Sequence, residues 1–171
     1  MTCHLSHVYT SMYAYFARDH VALRGLAKYF RDEVFFFPTH AQAEGELTHA
    51  QAEGERTHAQ RLMEFQATRG GYVKLATIPA PVSEFDHEAK GDALYAMELS
   101  LSLEKLNYSK LMALDKLAND AGDFTLSDFV DDLLADQVKD IKQAADYVSQ
   151  LRRVGKGYGT WCVCWSTHLA R

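Results

Sequence analysis

The sequence predicts an all-α fold, a bundle of four long helices with a long crossover between the second and the third. Apolar residues recur at three- and four-residue steps over most of the chain, which is typical of helices that bury one face. Three prolines and ten glycines leave long segments of the 171 residues uninterrupted, and two of the prolines lie in a segment without helical period. A chain of this length suits a single domain, residues 1–171.

The first helix is predicted from His4 to Ala17, and a short connection leads to a second helical run from Val21 to Glu33. The first run places its apolar residues on one face: Leu5, Val8, Met12, Tyr15 and Phe16. Proline disfavours a helical conformation at the residue before it, so the segment Val34–Pro38 predicts a break or bulge.

After the break, helical character resumes from Thr39 to Thr68 and ends at two glycines. The segment from Tyr72 to Phe85 is the predicted crossover. Long helices follow at Asp86–Asn119 and Leu126–Val154. Residues 160–171 form an atypical tail for which the pattern predicts no element.

Composition narrows the class of partner. The chain has 23 acidic and 18 basic residues, a net charge of -5, and no basic run longer than Arg152-Arg153. We therefore expect no nucleic-acid partner, whereas a cation is compatible with this charge. No apolar stretch reaches the ~18 residues of a membrane span, so we expect no membrane partner. The three cysteines lack the spacing of a disulfide framework and are interpreted as free thiols.

A nine-residue unit, THAQAEGEL and then THAQAEGER, creates two Glu-x-x-His pairs, Glu46 with His49 and Glu55 with His58. Residues three apart share a helix face, so a carboxylate and an imidazole can bind one cation together. Nine residues advance a helix by about 900°, which turns the two pairs to opposite sides. Such a pair is more often a solvated surface pair than a ligand pair.

The residues that follow each pair indicate which one faces a core. Leu62, Met63 and Phe65 continue the face of Glu55 and His58, whereas small and polar residues surround the first pair. We therefore predict that Glu55 and His58 are the ligand pair.

Three further polar residues lie in the predicted helices. Glu104 lies within an apolar series, and a buried carboxylate is costly unless it is paired or metal-bound. An ordinary pairing with lysine explains Glu104 equally well, a solvated face explains Gln137, and a place in the core explains Tyr9. Taken together, they bring ligands from three helices to a similar depth, as in metal sites built within bundles.

Longer motifs resemble the ferritin family, and two of them resemble its plant and algal plastid branch. The motifs are YAYFARDHVALRGLAKYFRDE, GERTHAQRLMEFQATRGG, SEFDHEAKGDALYAMELSLSLEKL and QLRRVGKGYGTW, within residues 8–161. The resemblance implies a non-haem di-iron centre in which two Fe(II) ions are oxidised by dioxygen. It implies a metal site of Glu55, His58, Glu104 and Gln137, in which Glu55 is the bridging carboxylate and His58 and Glu104 are ligands. Gln137 would be a hydrogen-bonding or water-holding residue beside the iron, and Tyr9 would form a hydrogen bond near the bridge.

The resemblance also implies an acidic entry channel for iron at Asp128 and Asp131, although an ordinary acidic helix face has the same pattern. It implies self-association or co-assembly with other subunits into a 24-subunit shell. It also implies a chloroplast location, with the cytoplasm as the alternative. The first residues lack the composition of a signal or transit peptide, so we expect no targeting segment within this chain.

The chain departs from the family pattern at several points. Thr2 occupies the position of the first-helix glutamate, and residues 34–51 are 18 additional residues, equivalent to about 27 Å of helix. The segment between Asp128 and Gln137 is one residue shorter, which would rotate Gln137 by about 100° unless the helix adjusts.

Three hypotheses follow. The first is an iron-storing ferroxidase that keeps ferric mineral in an oligomeric shell. The second is a non-enzymatic shell or storage subunit whose ferroxidase centre is incomplete. The third is a defective product, such as a mispredicted gene model, in which residues 34–51 and the two ends are artefacts.

Overall fold

A computed structural model describes residues 2–32 and 55–155, and the side chains of residues 4–31 and 57–155. Within these residues the secondary structure is helical, without strands. The helices are α1 (Thr2–Phe16), α2 (Arg24–Asp32), α3 (Glu55–Thr68), α4 (Asp92–Asp120) and α5 (Phe124–Val154). The predicted break at residues 34–38, the additional residues 34–51 and the tail 160–171 lie outside the described residues.

The described helices divide into two units, one with α1, α2 and α3 up to Glu84, and one with α4 and α5 from Phe85 onward. In the first unit α1 packs against both α2 and α3. Its core contains an aromatic cluster of three fully buried rings, Tyr9, Phe16 and Phe30. The Phe30 centroid lies 5.8 Å from the Tyr9 centroid and 5.8 Å from the Phe16 centroid, and the ring planes of Phe16 and Phe30 are nearly parallel.

Two contacts hold the non-helical segment after α3, one to α1 and one to the turn that follows α1. The Ser11 hydroxyl donates a hydrogen bond to the Val82 carbonyl at 2.6 Å. The Arg18 guanidinium donates to both carboxylate oxygens of Glu84, at 2.7 and 2.9 Å. This bidentate pair keeps the pKa of Glu84 below its usual range, because the Arg18 hydrogen bonds and charge favour the ionised carboxylate. The segment has no helix, as the crossover prediction required.

In the second unit, α4 and α5 are joined by a turn of three residues and pack along their length. The turn is made by Gly122, whose φ of 68° suits a residue without Cβ, and by Asp123. Asp123 caps α5, since its carboxylate accepts a hydrogen bond from the Leu126 amide at 3.2 Å. This cap starts the helix two residues earlier than its apolar pattern predicted.

Polar side chains connect the two helices at three levels. Near the turn, the Ser127 hydroxyl donates to the Asp115 carboxylate at 2.6 Å. Midway, Gln137 contacts Glu104. At the far end, the Arg152 guanidinium donates to Glu98 at 2.6 Å. Partners that recede from the turn in step on both helices show that α4 and α5 are antiparallel.

The prediction that the helix after the crossover begins at Asp86 was wrong by six residues. Residues 88–90 form a turn, in which the His87 carbonyl accepts a hydrogen bond from the Gly91 amide at 2.7 Å. Gly91 has a φ of 81°, outside the helical region. The helix therefore starts only at Asp92.

No helix among the described residues combines the length and the apolar character needed to cross a membrane.

Candidate metal centre

The buried face of α4 carries a polar stripe between apolar residues. Ser100, Glu104 and Asn107 recur at steps of four and three residues, so one helix face holds all three. All three are buried, and the Glu104 side chain is only 2% exposed. A carboxylate at this depth requires hydrogen-bond donors, since burial without them costs several kcal/mol.

Gln137 of α5 supplies one donor. It is fully buried, and its Nε2 donates a short hydrogen bond to Oε2 of Glu104. Its Oε1 accepts a hydrogen bond of 2.8 Å from Nδ2 of Asn107. We call these three residues, Glu104, Asn107 and Gln137, the amide cluster. The shorter segment before Gln137 therefore does not turn this side chain to solvent.

The Glu-x-x-His pair lies in the other unit, at the start of α3. Glu55 is the first residue of the helix, and its side chain lies outside the described residues. His58 is 4% exposed and Ala59 is equally buried. A histidine at the surface would be solvated, so this burial excludes the solvated-pair alternative for His58. Glu46 and His49 lie outside the described residues.

Tyr9 lies in α1, where it is fully buried beside Phe30 in the aromatic cluster. It therefore contributes to the core of its unit, as the simpler interpretation of this residue predicted.

Asp128 and Asp131 lie three residues apart on α5, and both are exposed. Their exposure fits an ordinary acidic face and an entry path for cations equally well.

Among the side chains of residues 4–31 and 57–155, no group of three His, Cys, Asp or Glu residues is arranged to hold a metal ion. This set does not include Glu55, the predicted bridging carboxylate. The buried carboxylate and the buried imidazole are of the ligand types that suit iron.

Sequence reasoning did not identify Asn107. The signal was present, because Asn107 lies three residues after Glu104 and thus on the same helix face. A polar residue at this position of an apolar series predicts a second buried polar group beside Glu104.

A family model of the ferritin-like domain matches residues 39–154. This chain belongs to the ferritin family. It is 51% identical to ferritin-3, chloroplastic, of Glycine max over 158 residues. This matched segment covers 92% of this chain and 55% of the Glycine max protein. It is 49% identical to ferritin-4, chloroplastic, of Arabidopsis thaliana over 158 residues, and this segment covers 92% of this chain and 54% of the Arabidopsis protein. The chain thus spans about half the length of these plant ferritins.

Among solved structures, the chain is similar to a ferritin from the multicellular green alga Ulva pertusa. The TM-score is 0.79 and the identity 46%, over 95% of this chain and 74% of the algal one. The predicted fold class, an all-α four-helix bundle of the ferritin type, is confirmed. The predicted kinship to plant and algal ferritins is confirmed as well.

Proposed function

We propose that this chain stores iron as a ferritin subunit, oxidising Fe(II) with dioxygen at a di-iron centre formed by Glu55, His58, Glu104 and Gln137. The observation that supports this most directly is the buried carboxylate of Glu104 in the middle of α4. The side-chain amide of Gln137 in α5 donates a hydrogen bond that orients this carboxylate. Membership of the ferritin family and the burial of His58 support it further. Iron is the substrate here, and the ferric product is the stored cargo.

Each group has a distinct task in this proposal. Glu55 and His58 would hold iron from α3 and Glu104 would hold it from α4, with Glu55 as the carboxylate shared by two ions. Gln137 would hold the Glu104 carboxylate, and Tyr9 would lie near the shared carboxylate. Each Fe(II) would lose one electron, and dioxygen would accept both together with two protons from water, which gives hydrogen peroxide. Asp128 and Asp131 attract Fe(II) to the surface from which it enters.

Stopped-flow mixing of the full chain with Fe(II) and dioxygen tests the enzymatic part. We expect oxidation faster than in the His58→Ala variant, while His20→Ala, the same change at an exposed histidine, keeps the original rate. Dioxygen consumption no faster than in His58→Ala would exclude ferroxidase activity.

Storage requires a shell, which family members form from 24 subunits. We propose the same assembly here, by self-association or co-assembly. Native mass measurement of a chain of 19.3 kDa tests it directly. A monomer or dimer, alone and after mixing with another ferritin subunit, would exclude storage in a cavity.

The second candidate function is a shell subunit without ferroxidase activity. It is favoured by Thr2, which stands where the family has its first-helix glutamate and cannot supply a carboxylate. The Thr2→Glu variant distinguishes the two. Rapid oxidation that appears only in this variant would assign the native chain to the second function.

The chloroplastic relatives further support a plastid location for this protein. Fluorescence imaging of the tagged full-length gene product in plant cells tests it, and a cytosolic signal would contradict it.

A further inference from the structure

The hydrogen bonds of the amide cluster run in one direction. The Gln137 amide presents its NH2 group to Glu104, whose carboxylate oxygen accepts the hydrogen bond. The Gln137 carbonyl oxygen then points the other way, where it accepts the Asn107 amide at 2.8 Å. Asn107 donates to Gln137, and Gln137 donates to Glu104.

Asn107 and Glu104 together fix the orientation of Gln137. The terminal torsion of a glutamine has two broad and nearly equivalent wells, which exchange the oxygen and the nitrogen. A donor on one side and a carboxylate on the other allow only one of them. Asn107 is itself 2% exposed, so water does not compete for this bond.

We infer that Asn107 is a positioning residue for the metal centre, which fixes the Gln137 amide so that the Glu104 carboxylate is held for a cation. This inference rests on the proposed function. In this arrangement Gln137 acts through its amide nitrogen, which holds Glu104, while its oxygen accepts the Asn107 amide. Hydrogen-bond partners of a metal ligand typically change metal affinity by about 10- to 100-fold when they are removed.

Co(II) is a suitable probe of the metal site in the full chain, because dioxygen does not oxidise it during the binding measurement. Its binding is followed by calorimetry and by its visible absorption bands, which depend on ligand number and geometry. We expect Asn107→Leu to weaken Co(II) binding on the order of tenfold and to alter the bands. Asn119→Leu is the matched control, because Asn119 is an exposed asparagine of the same helix.

A double-mutant cycle separates positioning from a general structural role. If Asn107 acts through Gln137, Asn107→Leu added to Gln137→Leu causes no further loss of Co(II) affinity. Independent losses that add would overturn the inference. A lower melting temperature of Asn107→Leu with unchanged Co(II) affinity of the folded protein would overturn it as well.

Asn107→Ala is the second variant, in case the leucine variant does not fold. It removes the donor to the Gln137 oxygen without adding bulk, charge or a possible metal ligand, so Co(II) affinity should again fall. Unchanged affinity would contradict the inference.

The proposed function fails in a different way. If the native chain has no Co(II) site that Glu104→Ala removes, the proposed metal centre is wrong whatever Asn107 does. If that site exists and is indifferent to both Asn107 variants, only the inference is wrong.

Discussion

The aromatic cluster of the first unit and the amide cluster of the second are both buried, but the first consists of packed aromatic rings and the second of hydrogen-bonded polar side chains. Tyr9, Phe16 and Phe30 pack rings at centroid distances near 6 Å, an interaction with weak angular preferences. The amide cluster is held by hydrogen bonds, in which each donor must point at its acceptor.

The difference is one between stability and orientation. Burial of aromatic rings contributes a large free energy that depends mainly on area, so such a core tolerates small adjustments. A buried polar cluster contributes little net stability, but a misplaced partner leaves a desolvated group without its bond. We therefore expect changes in the aromatic cluster to affect folding first, and changes in the amide cluster to affect the site first.

Truncation in the aromatic cluster should have the largest effect on stability. Phe30→Ala is expected to lower the free energy of unfolding by about 3–5 kcal/mol, because it leaves a cavity beside Tyr9 and Phe16. Urea denaturation followed by circular dichroism measures this. Phe124→Ala is the control, since Phe124 is 77% exposed and its loss should change stability by less than about 0.5 kcal/mol. Equal losses in the two variants would show that the aromatic cluster is not a core.

Removal of the central amide should cost less. Gln137→Leu is expected to lower the free energy of unfolding by about 1–3 kcal/mol, because Glu104 and Asn107 each lose a buried hydrogen bond. The control is Gln150→Leu on the exposed face of α5, which should be close to neutral. The same denaturation assay measures both variants. The distinction between the clusters would be lost if Gln137→Leu cost more than Phe30→Ala.

The N-terminal cap of α5 fixes the first turn of the helix that carries Gln137. Asp123→Ala should lower the free energy of unfolding by about 1 kcal/mol, since the Leu126 amide loses its side-chain acceptor. Asp123→Ser keeps an acceptor and should differ from the native chain by only a few tenths of a kcal/mol. Thermal unfolding of the two variants provides the comparison. Equal melting temperatures for alanine and serine would exclude the capping role.

The smallest expected effect is the loss of stability at acidic pH when Glu98 is protonated. The Lys90 ammonium first, and then Arg152, keep the pKa of Glu98 below the ordinary 4.5, although partial burial opposes them. A lowered folded pKa means that this stabilisation is complete above pH 4.5 and is lost as the pH falls through the folded value. We expect a contribution of at most about 1 kcal/mol.

Glu84 provides the matched carboxylate in the first unit. Its pKa is lowered too, mainly by the Arg18 hydrogen bond and less by the charge of His20, but its side chain is 60% exposed. The Glu98 side chain is 20% exposed and forms salt bridges with Lys90 and Arg152. Glu98→Gln should therefore flatten the stability profile between pH 3 and 5 more than Glu84→Gln. The measurement is urea denaturation across this range, and the reverse order would contradict the role of burial.

The sequence was sufficient for the fold class because helix periodicity is a property of the chain alone. Helix boundaries could not be predicted from periodicity where a capping side chain or a residue with positive φ determines them. The turn at residues 88–90 and the φ of Gly91 moved the start of α4 to Asp92, although the preceding residues suit a helix. Likewise, Ala22 has a φ of 48°, which delays the start of α2 to Arg24.

Burial of individual polar residues was only partly accessible. The apolar series around Glu104 indicated a buried carboxylate, and the structure places it on the buried face. The periodicity of α5 did not distinguish Gln137 from a solvated residue, because Asp136 and Lys139 beside it are polar. Its burial depends on a partner 33 residues away, which no local pattern contains.

The three polar connections between α4 and α5 have a mechanical consequence. Sliding one helix along the other by a single turn, about 5.4 Å, would separate Ser127 from Asp115, Gln137 from Glu104 and Arg152 from Glu98 at once. Apolar side chains alone would permit such slippage at low cost, because one hydrophobic contact can replace another. These connections therefore select one register of α4 against α5, and a shift that displaces Glu104 would break its hydrogen bond with Gln137.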